Sequence, residues 1–211
     1  HTFMKKILIA SALIIGFAIS SVGQEFINLD FERAKVVLPP DGSLRLDWSL
    51  AAPGWSHSKG ADTDYIYYEN MHAGATQWYL LMDPNSPLGS KGTQLEGRYS
   101  LSFANGLSTS LGGTAVQAYI SQTGRIPDDS HSIRFLGRGL FQVFIDGILI
   151  PVQNIGNNVY VGDVSSFAGS TAELKIANAS SYSFPVVVDN IMFSPAAAVP
   201  EPSGTALIGL G

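Results

Sequence analysis

The chain has 211 residues, no cysteine, and 12 lysines and arginines against 17 aspartates and glutamates, for a formal charge of −5. No disulfide can staple it, and an acidic, lysine-poor balance argues against nucleic acid and anionic membrane surfaces as partners. Only 14% of the residues are charged and 22 are glycine, a balance that suits an extracellular β-protein better than a helical enzyme.

The first element in chain order stands outside the fold. Met4-Lys5-Lys6 supplies a positive start, Ile7 to Ile19 an unbroken run of apolar or small residues, and Ser21-Val22-Gly23 small residues at the cleavage positions. Residues 4–23 therefore read as a secretory signal peptide cut before Gln24. The run is short for a membrane span, and no stop-transfer pattern follows it. With no cysteine near the cut, a lipoprotein anchor is excluded. Loss of Lys5 and Lys6 takes the formal charge from −5 to −7. Residues 24–194 then make one domain, large enough to bury a core without covalent help.

Within that domain no segment keeps helical periodicity for more than about two turns. Short alternating runs recur instead, at 26–31, 43–48, 98–103 and 115–122, with aromatic-rich runs at 65–68 and 77–82. Further runs at 132–136, 140–145, 148–150, 157–161, 172–176 and 186–193 bring the expectation to about ten or eleven strands in an all-β sandwich. Asp146-Gly147, between two apolar runs, predicts a tight hairpin because a type I′ turn needs φ > 0 at both central residues. One short helix is expected at 164–168, with Asp163 as its N-cap. Residues 195–211 read as a linker and terminal signal. Pro200 and Pro202 end the fold and hold the chain extended, and the apolar run Gly204 to Gly211 is far shorter than the about 20 residues of a span.

That terminal Val199-Pro200-Glu201-Pro202-Ser203 box resembles the PEP-CTERM sorting signal of Gram-negative bacteria, in which an apolar helix and a basic tail follow the box. The resemblance implies export to the cell surface or extracellular matrix. It also implies handling by an exosortase-type sorting enzyme and transient membrane anchoring through a C-terminal helix. Here the rest of that helix and the arginine-rich end do not follow Gly211. With His1-Thr2-Phe3 ahead of Met4, the sequence reads as a translated gene fragment with a truncated signal.

Three further motifs stand far apart: Asn28-Leu29-Asp30-Phe31-Glu32, Pro53-Gly54-Trp55, and Val186 to Phe193 with Asp189-Asn190 inside it. Their order resembles the galactose-binding-like jelly roll, especially carbohydrate-binding modules that open on a Phe-Glu pair, continue with Gly-Trp and close on a strand bearing Asp-Asp or Asp-Asn. The resemblance implies a jelly-roll β-sandwich whose first and last strands lie side by side. It implies one structural Ca²⁺ held by Glu32 and Asp189 with backbone carbonyls, which suits an ion that takes six to eight oxygens. Asp30, two residues before Glu32, would share its face in an extended strand. Asn190 in place of a second aspartate removes one carboxylate. The alternative is that these acids are solvated or make ordinary hydrogen bonds at strand ends.

Trp55, after a Pro-Gly turn, is expected in the core. The aromatics between Trp48 and Tyr79 offer flat faces for sugar rings, and Tyr65, Tyr67 and Trp78, with Asp64 for hydroxyls, are the candidate ligand site. The competing expectation is that they fill the sandwich. Hydrolytic signatures such as Gly-x-Ser-x-Gly or His-Glu-x-x-His are absent, there is no cysteine nucleophile, and His57, His72 and His131 stand apart. The expected protein is therefore an exported, non-catalytic module that binds carbohydrate or exopolysaccharide. A structural matrix protein with no small ligand is the alternative, and a glycan-acting enzyme the third reading.

Overall fold

The computed structural model describes residues 24–58, 65–69, 77–86, 94–108, 113–180 and 184–198, and in them the sequence alternation becomes a sandwich of two sheets. The strands are β1 Arg45–Asp47, β2 Ser56–His57, β3 Tyr65–Tyr68, β4 Trp78–Met82, β5 Ser100–Ala104, β6 Gly106–Ser108, β7 Thr114–Val116 and β8 Tyr119–Arg125. They continue with β9 Ser132–Arg138, β10 Phe141–Ile145, β11 Ile148–Ile150, β12 Val152–Asn154, β13 Val159–Asp163, β14 Thr171–Asn178 and β15 Pro185–Ser194. One sheet has eight strands in the order β1-β3-β4-β5-β15-β9-β13-β12. The other has five, β11-β10-β14-β8-β2, and β6 pairs with β7 separately. All pairs are antiparallel except β3 with β4.

Alternation explains which residues meet between the sheets. Leu101, Phe103, Ile133, Phe135, Val186 and Val188 of the larger sheet join Ile120, Val143, Ile145, Leu174 and Ile176 of the smaller one in a single buried cluster. Trp55 belongs to it, as expected, and its indole Nε1 donates to the Asn28 carbonyl at 2.9 Å. The Asp146-Gly147 hairpin forms as expected between β10 and β11, with Ile145 opposite Ile148 and φ of 47° and 77° at the turn.

Three local expectations are corrected. The run 26–31 is a looped segment, although its residues alternate. Asn28 and Phe31 have φ of 54° and 58°, and the Phe31 amide donates to the Asn28 carbonyl. Side chains do what a ladder would otherwise do: the Ile27 amide and carbonyl both bond to the Gln122 side-chain amide. The run 115–122 is split in two because the Ala118 amide is taken by Asn105 Oδ1 at 2.8 Å, which separates β7 from β8. The helix expected at 164–168 is a single 3₁₀ turn, Ser165–Phe167. Its N-cap is Val164 rather than the expected Asp163, which stands one residue earlier and accepts from the Ser165 amide at 2.8 Å. A four-residue helix α1, Trp48–Ala51, follows β1 and is capped by Asp47, whose side chain accepts from the Ser49 amide.

Candidate functional site

The N-terminal turn, the turn before β5 and a bulge in β15 meet at one end of the sandwich. The Asp30 side chain accepts from the Glu32 amide at 3.2 Å, an Asx turn that reverses the chain and swings Glu32 toward β5. There Glu32 Oε1 accepts from the amides of Arg98 and Tyr99, at 2.7 and 2.9 Å. A side chain at Gly97 would collide with that carboxylate, and φ of +57° at Gly97 favours glycine as well. Phe31 completes the turn with a left-handed backbone that a bulky residue rarely adopts. Its ring, fully buried, stacks on Trp55 at 5.8 Å and holds it there.

In β15 the pairing with β9 shifts between Asp189 and Met192, and Asn190 takes φ of 43°. The bulge bends the strand and re-aims its side chains. Next to it, the Ile191 amide donates to the Leu29 carbonyl at 2.9 Å, so the opening segment does lie against the last strand although it is not itself a strand. Asp189 is 1% exposed. Its Oδ2 accepts from the Ser100 hydroxyl at 2.6 Å and the Glu96 amide at 3.1 Å, and its Oδ1 from the Asn190 amide at 2.7 Å. Burial raises its pKa to about 6 and the nearby Glu32 charge adds to that, against the lowering effect of these hydrogen bonds.

Asp30, Glu32, Glu96, Gly97, Asp189 and Asn190 line a cavity of about 230 Å³. The structure therefore gathers all three expected metal residues at one cavity and adds two that the sequence reading missed, Glu96 and Gly97. Their signal was the Glu-Gly pair placed just ahead of the alternating run that opens at Arg98 and enters β5 at Ser100. The three carboxylates do not share one point, however: among the described residues no three His, Asp or Glu side chains are close enough to hold a metal ion by themselves. Asp30 is committed to its turn, and the expected common strand face with Glu32 does not exist because the chain is not extended there.

Ca²⁺ can be tested against the donors present. They are all oxygens, the set a hard cation prefers, and Glu32 uses only one of its two oxygens on amides. Among the described residues the ion pairs are Arg98 with Asp83 and Arg125 with Asp128, so no lysine or arginine neutralises Asp189 or Glu32. The donor chemistry is of the kind calcium takes: Glu32 has an oxygen not used on these amides, while both Asp189 oxygens already accept hydrogen bonds from Ser100, Glu96 and Asn190.

The aromatic candidates are placed differently. Trp78 is 6% exposed and packs with Leu80, Met82 and Ala104 on the face of β4 turned away from the main core. It offers no free ring face. Tyr65 and Tyr67 are half-buried, ring edge to ring face at 5.0 Å, with hydroxyls 2.9 Å apart. The Arg45 guanidinium covers Tyr65 at 4.8 Å. Trp48, Tyr68 and Tyr79 lie in the main core. Asp64 lies outside the described residues, as do the signal peptide and the Pro-Glu-Pro box.

The unbroken Trp78-Tyr-Leu-Leu-Met82 run was the available signal for Trp78, because a strand without polar alternation is covered on both faces. Comparison with protein-family models, curated proteins and solved structures returns no match to this chain.

Proposed function

We propose that the chain is an exported, non-catalytic module that binds polysaccharide at the cell surface or in the extracellular matrix, with one Ca²⁺ between Glu32 and Asp189. The observation that carries this reading is spatial. Three motifs spread from Asn28 to Asn190 assemble into one unit: Trp55 and Pro53 bond to Asn28, and Leu29 bonds to Ile191. That the three motifs meet in space supports the reading. Export and sorting by an exosortase-type enzyme rest on the sequence signals at the two ends.

A screen of residues 24–194 on a glycan array tests the binding. Retention of one glycan class is the expected result, and binding to none of them would leave the alternative. That alternative is a structural matrix protein without a small ligand, and the burial of Trp78 favours it, since it removes one expected sugar platform.

A further inference from the structure

The outer face of the five-stranded sheet carries a row of side chains that the carboxylate cluster does not use. Strand pairing sets Ser56 opposite Ser121, Ser121 opposite Lys175, Lys175 opposite Phe144, and Phe144 opposite Leu149. At about 4.8 Å between neighbouring strands, the row spans roughly 19 Å. Ile120, Leu174, Ile176, Val143 and Ile145, which flank it along the strands, face the core, so the row lies on the opposite face. Ser121 is tucked under its neighbours, Lys175 and Phe144 are half-buried, and Leu149 is exposed. The adjacent row sets Tyr119 opposite Ala177 and Ala177 opposite Gln142.

Lys175 stands where these rows meet. Its Nζ lies 4.7 Å from the Phe144 ring centre and 5.4 Å from that of Tyr119. Two rings hold the ammonium, and among the described residues it forms no ion pair. Gln142 links the row to a cavity of about 410 Å³ that Asn105, Gln117, Asn178 and Ser180 also line. Gln117 Nε2 donates to Gln142 Oε1 at 2.8 Å and to the Asn178 carbonyl at 3.0 Å. The Gln117 backbone carbonyl accepts from Gln77 Nε2, so among the described residues this leaves the Gln142 NH₂ and the Gln117 side-chain Oε1 for a ligand. Leu140 and Phe184, both exposed, bond through their carbonyls to Ala179 and Asn178 at the rim.

Amide donors and acceptors, exposed apolar side chains and a positioned positive charge follow one another across the strands. The chain is acidic overall and Glu173 lies in the same outward phase two residues from Lys175, so attraction for an anion is local to the ammonium itself. The backbone groups of the inner strands β10 and β14 are used in the ladder, so a ligand lying across this face meets side chains. A polyhydroxylated chain with a carboxylate satisfies each group in turn.

We propose that this face, from the Gln117–Gln142 cleft to Lys175, binds an acidic polysaccharide whose uronate carboxylate pairs with Lys175. This rests on the polysaccharide-binding reading above and names its surface and its ligand class. The test is affinity electrophoresis in gels containing polygalacturonate, alginate or hyaluronate, each run beside its carboxyl-reduced, neutral form. At least one acidic polymer should retard the protein more than its reduced form, and added salt should weaken the effect. Lys175→Met should bind about five-fold more weakly while its melting temperature falls by no more than about 2–4 °C, the cost of the lost ring contacts, and Lys175→Arg should restore retention. Equal retardation by acidic and reduced polymers, or full retention by Lys175→Met, overturns the proposal and leaves polysaccharide binding standing. Neutral glycans alone retarding the protein has the same effect. Equal retardation by polyglutamate overturns the glycan class, and no retardation by any polysaccharide, acidic or neutral, overturns both readings.

Discussion

Strands β4 and β10 are each five residues long, and each carries an aromatic side chain pointing away from the main core, yet the two aromatics end in opposite environments. Trp78 shares its face with Leu80 and Met82 and is buried, while Phe144 shares its face with Gln142 and stands beside Lys175, half in water. The aromatic residue alone does not decide whether a ring is a platform or a core residue. Its neighbours in the same phase of the strand decide, because they set whether that face is covered.

The largest effect that could break this comparison is truncation of Trp78. Trp78→Ala should destabilise the protein by roughly 3–5 kcal/mol, the cost of removing a buried large aromatic. Urea denaturation measures it. A loss below about 1 kcal/mol, the level of an exposed position, would mean that Trp78 is free to act as a platform and that the two strands are alike.

A second test concerns the carboxylate end of the larger sheet. With calcium at about 100 times its dissociation constant, stabilisation of about 2.7 kcal/mol is expected by mass action. A chelator should lower the melting temperature, and Glu32→Gln should remove the response to added calcium. Identical melting curves with and without chelator would leave Glu32 and Asp189 as a hydrogen-bonded strand-end pair.

A smaller effect separates the two regions by pH. Asp83, fully buried just after β4, accepts from the Tyr68 hydroxyl at 2.9 Å, the Asn85 amide at 2.8 Å and Arg98 Nη2 at 3.0 Å. Burial alone would raise its pKa, but Arg98 and the other donors outweigh it and hold the carboxyl below its ordinary 3.8. The folded state therefore binds this proton less readily than the unfolded state. The stability Asp83 contributes is present above about pH 4 and is lost as pH falls through the depressed value. Asp83→Asn should lower stability at pH 7 by roughly 1–2 kcal/mol, a modest figure because half of the Arg98 side chain faces water. It should also flatten the decline below about pH 4, where the native chain loses this contribution. An equally steep acid limb in both proteins would assign that limb to other carboxylates.

Much of the sandwich was legible because alternation states directly which side chains face inward. The β10–β11 hairpin was legible because Asp-Gly meets a backbone demand that few residue pairs meet. The 26–31 segment was not, because its Phe-Ile-Asn-Leu-Asp-Phe alternation is compatible with a strand until Gln122, nearly a hundred residues away, takes the Ile27 backbone groups. For the same reason the motifs named Glu32 and Asp189 but not Glu96, which joins the cavity only through the turn at Gly97. Phe144 was readable and missed: in Leu140-Phe-Gln-Val-Phe-Ile145 it occupies the phase that Gln142 marks as outward.

The smallest effect sharpens the comparison most. Phe144→Ala should cost less than about 1 kcal/mol in stability, since its ring is half in water and its main specific contact is a cation–π interaction worth about 0.5–1 kcal/mol at an exposed site. A double-mutant cycle with Lys175→Met isolates that contact from the general loss of apolar area. If the ring holds the ammonium, the two substitutions should be less than additive in urea denaturation by about 0.5–1 kcal/mol. The gap should persist in added salt better than a surface ion pair would, because the two groups are in contact and partly desolvated. Strict additivity would mean that Lys175 is a freely moving surface charge. The outer face of β10 would then differ from that of β4 only in being uncovered, and not in presenting a positioned cation.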